Sequence, residues 1–165
     1  MAFFRLKKIK GNEYAYRVEN EWKKGKSRQK VKGYLGRAFR FEKNRQIEFG
    51  KFINSKDLIN YTSSNDWTKI IRDLVEWEIH QHNADKSKFY VDLETFKIQN
   101  KKRNSVLLVN EGYMCSLTLS NIFNFKKEDE SVDGFRLARA FVEAGIKVPQ
   151  EVFVAIYGKL YKTED

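Results

Sequence analysis

Lysine and arginine side chains are concentrated at the start of this chain. Such a concentration of positive charge is suited to binding phosphate groups. Residues 1–45 carry 15 lysines and arginines against four glutamates, a net charge of +11, whereas the other 120 residues sum to −1. A segregated excess of this kind is typical of an electrostatic footprint for nucleic acid. A solvated basic surface without a partner is the alternative. The residues predicted to contact nucleic acid are Arg5, Lys7, Arg17, Lys26, Arg28, Lys30, Lys32 and Tyr34.

Two modes of recognition are open to these side chains. A β-ribbon could enter a major groove, with lysines and arginines on phosphates and an arginine reading guanine edges. Alternatively, Tyr34 or Trp22 could stack on unpaired bases, at about 1 to 3 kcal/mol per base. In either mode we expect affinity to fall steeply as the salt concentration rises. On duplex DNA, each neutralised phosphate adds about −0.9 to the slope of the logarithm of the binding constant against the logarithm of the salt concentration.

The elements that must position these cations are predicted to be strands. Residue types alternate over 14–22, which is the period of a strand. One face of that strand holds Tyr14, Tyr16, Val18 and Trp22, and the other holds Ala15, Arg17, Glu19 and Glu21. Strand candidates at 4–9 and 27–35 flank it through short glycine turns, as in hairpins. We therefore expect a three-stranded antiparallel meander with an apolar tyrosine side that packs on the core, Trp22 included, and a single basic face that gathers the cations.

The rest of the chain mixes helical and strand patterns. The predicted elements are a hairpin over 37–49, a helix over 66–81, strands near 89–93 and 106–109, and helices over 114–125, 133–144 and 149–161. Asp66 and Asp133 are the expected helix caps, while Gly145 and Pro149 mark the last junction between helices. The fold class is α+β, an N-terminal antiparallel β-meander followed by a mixed α/β unit with three C-terminal helices. Because the basic excess stops near residue 50, we expect a nucleic-acid-binding module at 1–50 and an α+β domain at 51–165.

Apolar stripes on the last two helices have two interpretations. These stripes contain Phe135, Leu137, Ala138, Phe141, Val142, Val152, Phe153, Ile156 and Leu160. Their helical spacing predicts ordinary core positions. They could also bind a protein partner, which would make the chain an adaptor whose helical half holds a protein while its basic half holds nucleic acid.

Several segments resemble known families. Residues 8–19, followed by Gly25-Lys26-Ser27-Arg28-Gln29-Lys30 and Tyr34-Leu35-Gly36, are similar to the N-terminal module of DDE-type insertion-sequence transposases. The resemblance covers about the first quarter of the chain and implies a sheet that contacts DNA or RNA at Arg17, Lys26, Arg28, Lys30 and Tyr34. It implies no transposase activity, since 165 residues leave no room for the catalytic domain. Residues 110–113 and 144–149 resemble an uncharacterised archaeal family, and that resemblance implies no function.

A Mg²⁺-dependent nuclease of the restriction-endonuclease type is the catalytic alternative. Its acidic candidates are Glu76, Glu78, Asp92, Glu94 and Glu111. Carboxylates are the ligands that a hard cation prefers. However, Tyr113 stands where this fold would carry a lysine, and Glu94 and Lys97 have an odd spacing that points them to opposite sides of a strand. We therefore predict a non-catalytic protein that needs no metal or other cofactor.

The remaining reactive residue types predict no further site. His80 and His82 diverge on a helix and are expected at the surface or as capping residues. Cys115 has apolar neighbours and is expected to be a buried structural thiol, which suits a reducing cytoplasm. The sequence contains no apolar run long enough to predict a signal peptide or a membrane span. We therefore expect a cytoplasmic protein that does not bind membranes.

Overall fold

A computed structural model describes residues 2–84 and 87–161 and confirms the α+β class. The strands are β1 (Ala2–Ile9), β2 (Asn12–Lys23), β3 (Lys26–Arg40), β4 (Tyr90–Asp92), β5 (Lys97–Asn100), β6 (Arg103–Val109) and β7 (Gly112–Met114). The helices are α1 (Phe49–Phe52), α2 (Leu58–Ser64), α3 (Trp67–Gln81), α4 (Ser116–Phe123), α5 (Glu130–Glu143) and α6 (Gln150–Tyr161). No helix within the described ranges is both long enough and apolar enough to cross a bilayer.

The predicted N-terminal meander is present. β1 pairs antiparallel with β2, and β2 pairs antiparallel with β3. Both turns carry a lysine–glycine pair with positive φ, Lys10-Gly11 and Lys24-Gly25, as tight hairpin turns require. The pairing of β2 with β3 shifts register twice, next to Tyr16 and next to Val18, so that β3 has one extra residue at each bulge.

β3 is longer than expected and joins the two halves of the chain. It continues past residue 35 to Arg40 and pairs in parallel with β6, from Arg37 opposite Ser105 to Arg40 opposite Leu108. The predicted hairpin over 37–49 is therefore wrong, because residues 37–40 find their partner in β6 and 41–48 form no regular element. The sheet has the order β1-β2-β3-β6-β5-β4, with β7 also on β6. The two predicted units thus share one sheet.

Hydrophobic residues pack on both sides of that sheet. Leu107 and Val109 belong to the larger cluster, which includes Ile70, Ile71 and Leu74 of α3. Val106 and Leu108 point the other way and pack with Ala15, Ala38 and Cys115. The predicted helix over 66–81 is confirmed, and its cap Asp66 accepts a hydrogen bond from the Lys69 backbone N–H at 2.7 Å. The buried strand over 106–109 is also confirmed.

The start of α5 differs from the prediction. Asp129 caps this helix by accepting a hydrogen bond from the Ser131 N–H, and Asp133 lies one turn inside it. Asp133 is fully buried, where it accepts hydrogen bonds from the Glu128 N–H, the Arg136 guanidinium and the Tyr161 hydroxyl. Although desolvation opposes ionisation, these donors lower the pKa of Asp133 to about 2. The expected cap is therefore an ionised link between α5 and α6.

This link predicts a pH dependence of stability. The pKa of folded Asp133 is below that of an unfolded aspartate, so its contribution is fully present above about pH 4 and is lost as the pH falls towards about 2. We expect Asp133→Asn to lower the melting temperature at neutral pH and to converge with the parent protein towards pH 2. Thermal melts of both proteins between these pH values test this. A constant difference would show that the ionised form is not what matters.

The core predicted for the last two helices is only partly correct. Leu137, Phe141, Val152 and Ile156 are buried, as expected. Phe135 is 70% exposed and Val142 is 68% exposed, because the two residues lie seven apart, on a side of α5 that no other element of residues 2–84 and 87–161 covers. An exposed apolar stripe is the surface that the adaptor hypothesis requires, and that hypothesis stays a prediction.

Candidate nucleic-acid interface

Strand register assigns the side chains of the N-terminal meander to two faces, because residues directly opposite in an antiparallel pair point the same way. One face contains Arg5, Lys7, Asn12, Tyr14, Tyr16, Asn20, Trp22, Gln29, Tyr34 and Arg37, and we call it the tyrosine face. The opposite face contains Leu6, Glu13, Ala15, Arg17, Glu19, Glu21, Lys26, Arg28 and Lys30, and we call it the ion-pair face. The two faces differ sharply in the partners of their charged groups.

Three tyrosines form a cluster in the middle of the tyrosine face. The ring of Tyr34 lies 5.3 Å from the ring of Tyr16 and 6.4 Å from that of Tyr14, centroid to centroid. Tyr34 is 58% exposed, so much of its ring remains open to a ligand. Burial raises the pKa of Tyr34, the other two tyrosines raise it further, and the positive charge of Arg103 opposes them. Tyr34 is therefore neutral at physiological pH and presents aromatic surface.

Cations border this tyrosine cluster on both sides. Arg5 and Lys7 on β1 lie opposite Tyr16 and Tyr14, and Arg37 on β3 lies opposite Tyr14 from the other side. The guanidinium of Arg37 donates to the Asn12 side-chain oxygen at 2.8 Å, and that of Arg5 donates to the Gln29 side-chain oxygen. These two acceptors are neutral, so the guanidinium charges are not neutralised by them. Among the described residues of β1, β2 and β3, no acidic side chain lies on the tyrosine face.

All three glutamates of the meander lie on the ion-pair face. Glu13 accepts two hydrogen bonds from Arg40, at 2.6 and 2.8 Å. Lys32 lies 3.3 Å from Glu19 and 3.5 Å from Glu21. Desolvation alone would raise the pKa of Glu21, but the neighbouring lysines, Lys30 first, hold it below its usual value. These three carboxylates therefore offset part of the positive charge on this side of the sheet.

The predicted site residues are divided between the two faces. Arg5, Lys7 and Tyr34 lie on the tyrosine face. Arg17, Lys26, Arg28 and Lys30 lie on the ion-pair face, together with Lys32, which contacts its glutamates from a bulge. The expectation of one basic face is wrong, since an even spacing within each strand cannot show how neighbouring strands align. A binding role for any of these residues stays a prediction.

Sequence reasoning also missed members of the tyrosine face. Tyr14 and Tyr16 were expected to pack on the core, whereas the core side of β2 is the one with Ala15, which is fully buried. Trp22 was expected in the core and is 76% exposed. Arg37 belongs to a strand that was predicted to end before it. The small residues Ala15 and Ala38 indicate which side of the sheet is packed, because a sheet that lies close against other elements favours small side chains on the packed side.

The carboxylates of the nuclease hypothesis are engaged separately. Glu78 is buried and accepts hydrogen bonds from Asn110 and from the Lys147 N–H. Asp92 accepts from the Glu94 and Thr95 N–H groups and from the Thr95 hydroxyl, which stabilises a turn and lowers its pKa. Glu111 is exposed in the turn after β6. Within residues 2–84 and 87–161, no three His, Cys, Asp or Glu side chains are grouped so that they could hold a metal.

The histidines and the cysteine are structural. His82 is the C-cap of α3, which agrees with the predicted capping role. It is buried and does not lie at the surface, which was the other predicted position. His80 lies 3.2 Å from the Arg45 guanidinium. Cys115 is 1% exposed, as expected, and burial raises the pKa of its thiol. A raised thiol pKa disfavours the nucleophilic thiolate.

Comparison of the chain with protein-family models, curated proteins and solved structures found no match. The resemblance to the N-terminal module of DDE-type transposases therefore stays a prediction.

Proposed function

We propose that the protein binds nucleic acid through the tyrosine face, without catalysing a reaction on it. The observation that carries this proposal is a cluster of three tyrosines bordered by Arg5, Lys7 and Arg37 on a face to which the described residues of β1, β2 and β3 contribute no acidic side chain. Such a surface offers aromatic rings to bases and positive charge to phosphates at the same time. On the ion-pair face, by contrast, glutamates contact Lys30, Lys32 and Arg40.

The proposed interface favours unpaired bases over the interior of a duplex. A base can stack on a tyrosine ring only when at least one of its own faces is free, and that is the normal situation in single strands, loops and ends. The Tyr16 and Tyr34 rings provide adjacent stacking positions in the sheet. Arg103, whose charge acts on Tyr34, extends the positive border to the neighbouring strand β6.

Neutralising cations on the tyrosine face should weaken binding. We expect Lys7→Gln combined with Arg37→Gln to reduce affinity for a labelled single-stranded oligonucleotide by roughly tenfold or more, since each removed cation loses a phosphate contact. The matched control is Lys30→Gln combined with Lys32→Gln, which removes the same charge from the ion-pair face. Fluorescence anisotropy at low salt measures both. Equal losses in the two proteins would show that total charge matters and that the tyrosine face does not.

Salt dependence gives an independent measure of the same interface. Arg5, Lys7, Arg37 and Arg103 could together neutralise about four phosphates, which predicts a log–log slope near −3 on a single strand. The Lys7→Gln, Arg37→Gln protein should have a slope smaller in magnitude by about 1.4. Titrations at several salt concentrations measure these slopes. An affinity that barely changes with salt would contradict the proposal.

A further inference from the structure

The hairpin between β2 and β3 extends beyond the rest of the sheet. β1 pairs with β2 only as far as Ala2 opposite Glu19, and β6 pairs with β3 only over Arg37–Arg40. The pairs from Asn20–Gln29 to Lys23–Lys26 therefore form a two-stranded ribbon. Ten of the eleven residues from 20 to 30 are exposed, and Glu21 is half-buried. We call this segment the ribbon.

Trp22 is the large aromatic residue of the ribbon, and it is 76% exposed. It lies opposite Ser27, on the same face as Tyr14 and Tyr16. The indoles of the other two tryptophans are engaged inside the fold, where Trp67 donates to the Ile122 carbonyl and Trp77 to the Ile47 carbonyl. An indole this exposed on a two-stranded ribbon adds little to the core, so folding does not explain it.

The chemistry around Trp22 fits an anionic ligand with aromatic groups. Lys24 lies in the turn next to it, Lys23 and Lys26 lie on the ion-pair face of the same ribbon, and all three are exposed. Val31 on the same face is 60% exposed and continues the open surface towards Tyr34. The ribbon therefore combines an exposed ring on the tyrosine face with ammonium groups at its turn and on its opposite face.

The spacing between the two aromatic positions sets the length of ligand required. Tyr16 and Trp22 are six residues apart on one strand, which corresponds to about 20 Å. A stacked single strand covers this distance with about six nucleotides, and an extended strand needs fewer. Val18, between them, is buried, so the path crosses the exposed Asn20 and Val31.

We propose that Trp22 is a second stacking position for one single-stranded nucleic acid, which runs along β2 from the tyrosine cluster to the ribbon. This inference rests on the proposed function and adds the strandedness and minimum length of the ligand. A ligand too short to reach the ribbon binds to the tyrosine cluster alone. A longer one engages both positions and binds more tightly.

Tryptophan fluorescence tests this inference, because stacking of a base on an exposed indole quenches its emission. The parent protein is titrated with labelled oligothymidylates of about 12 and about 2 nucleotides, of which only the first can span both positions even when the strand is extended. We expect the longer one to quench the protein emission. Trp22→Leu should abolish this quenching and weaken binding of the longer oligonucleotide about tenfold, while the shorter one changes by less than about twofold.

A matched variant separates stacking from fluorescence. Trp22→Phe keeps an aromatic ring and should bind the longer oligonucleotide within about threefold of the parent protein, with no quenching. Unchanged affinity of Trp22→Leu for the longer oligonucleotide, or unchanged emission of the parent protein on binding, would overturn the role of Trp22. In those cases binding of the shorter one would still support the proposed function. A blue shift of the emission with anionic phospholipid vesicles, together with no quenching by oligonucleotides, would assign Trp22 to a membrane surface instead and overturn the inference.

Discussion

Glu78→Ala is expected to destabilise the protein by about 3 kcal/mol, enough to remove a large part of the stability of a domain of this size. Glu78 is fully buried on α3 and joins three separate segments. One carboxylate oxygen accepts from the Asn110 side chain at 2.8 Å, and the other accepts from the Lys147 N–H at 3.0 Å. Alanine would leave the Lys147 N–H without its carboxylate acceptor and open a cavity.

Chemical denaturation measures this loss, with two comparison proteins. Glu78→Gln retains an oxygen for the Lys147 N–H but brings its amide donor towards Asn110, so its stability should be intermediate. Glu94→Ala removes an exposed glutamate and should change the free energy of unfolding by less than about 0.5 kcal/mol. If Glu78→Ala also changed the free energy of unfolding by less than this amount, the buried carboxylate would not hold the three segments together.

Gly36→Ala should destabilise the protein by about 3 kcal/mol and weaken nucleic-acid binding as well. Gly36 has a φ of +133°, which disfavours any side chain, and a methyl carbon there would lie 2.3 Å from the Asn104 backbone oxygen. Because the backbone of residue 36 fixes the position of this methyl carbon and the Asn104 oxygen is itself a backbone atom, relief requires β3 and β6 to separate. Tyr34 and Arg37 flank this position, so their places on the tyrosine face would change with it.

Gly33→Ala is the matched control for this substitution. Gly33 lies on the same strand, and nothing approaches a methyl carbon there within 4 Å. We expect Gly33→Ala to have parental stability or slightly more, since alanine reduces the freedom of the unfolded chain. Denaturation and oligonucleotide binding are measured on both proteins. If the two variants had the same stability and the same affinity for the oligonucleotide, the close contact between β3 and β6 would not be required for folding or for binding.

The local elements could be predicted because their signals lie within a few residues. Asp66 before a run of apolar residues at helical spacing predicts the start of α3, and Gly145 with Pro149 predicts the junction of α5 with α6. The glycine turns predict the meander in the same way. In each case a short stretch of sequence contains both the element and its boundary.

The candidate site was harder to predict because it depends on contacts between distant strands. Alternation over 14–22 shows that β2 has two faces, but only the packing of Ala15 and Ala38 against Val106 decides which one is buried. The end of β3 is set by β6, about 70 residues later. Arg37 and Trp22 were misplaced for these reasons.

The parallel pairing of β3 with β6 has a consequence for the order of folding. The turns at Lys10-Gly11 and Lys24-Gly25 allow β1, β2 and β3 to meet on the microsecond scale typical of hairpins, whereas β6 must close a loop of roughly 70 residues to reach β3. A small sheet with an uncovered apolar side is only marginally stable in water. We therefore expect an early meander that forms and dissolves repeatedly as the chain leaves the ribosome, and that persists only once β6 has been synthesised and has docked beside it.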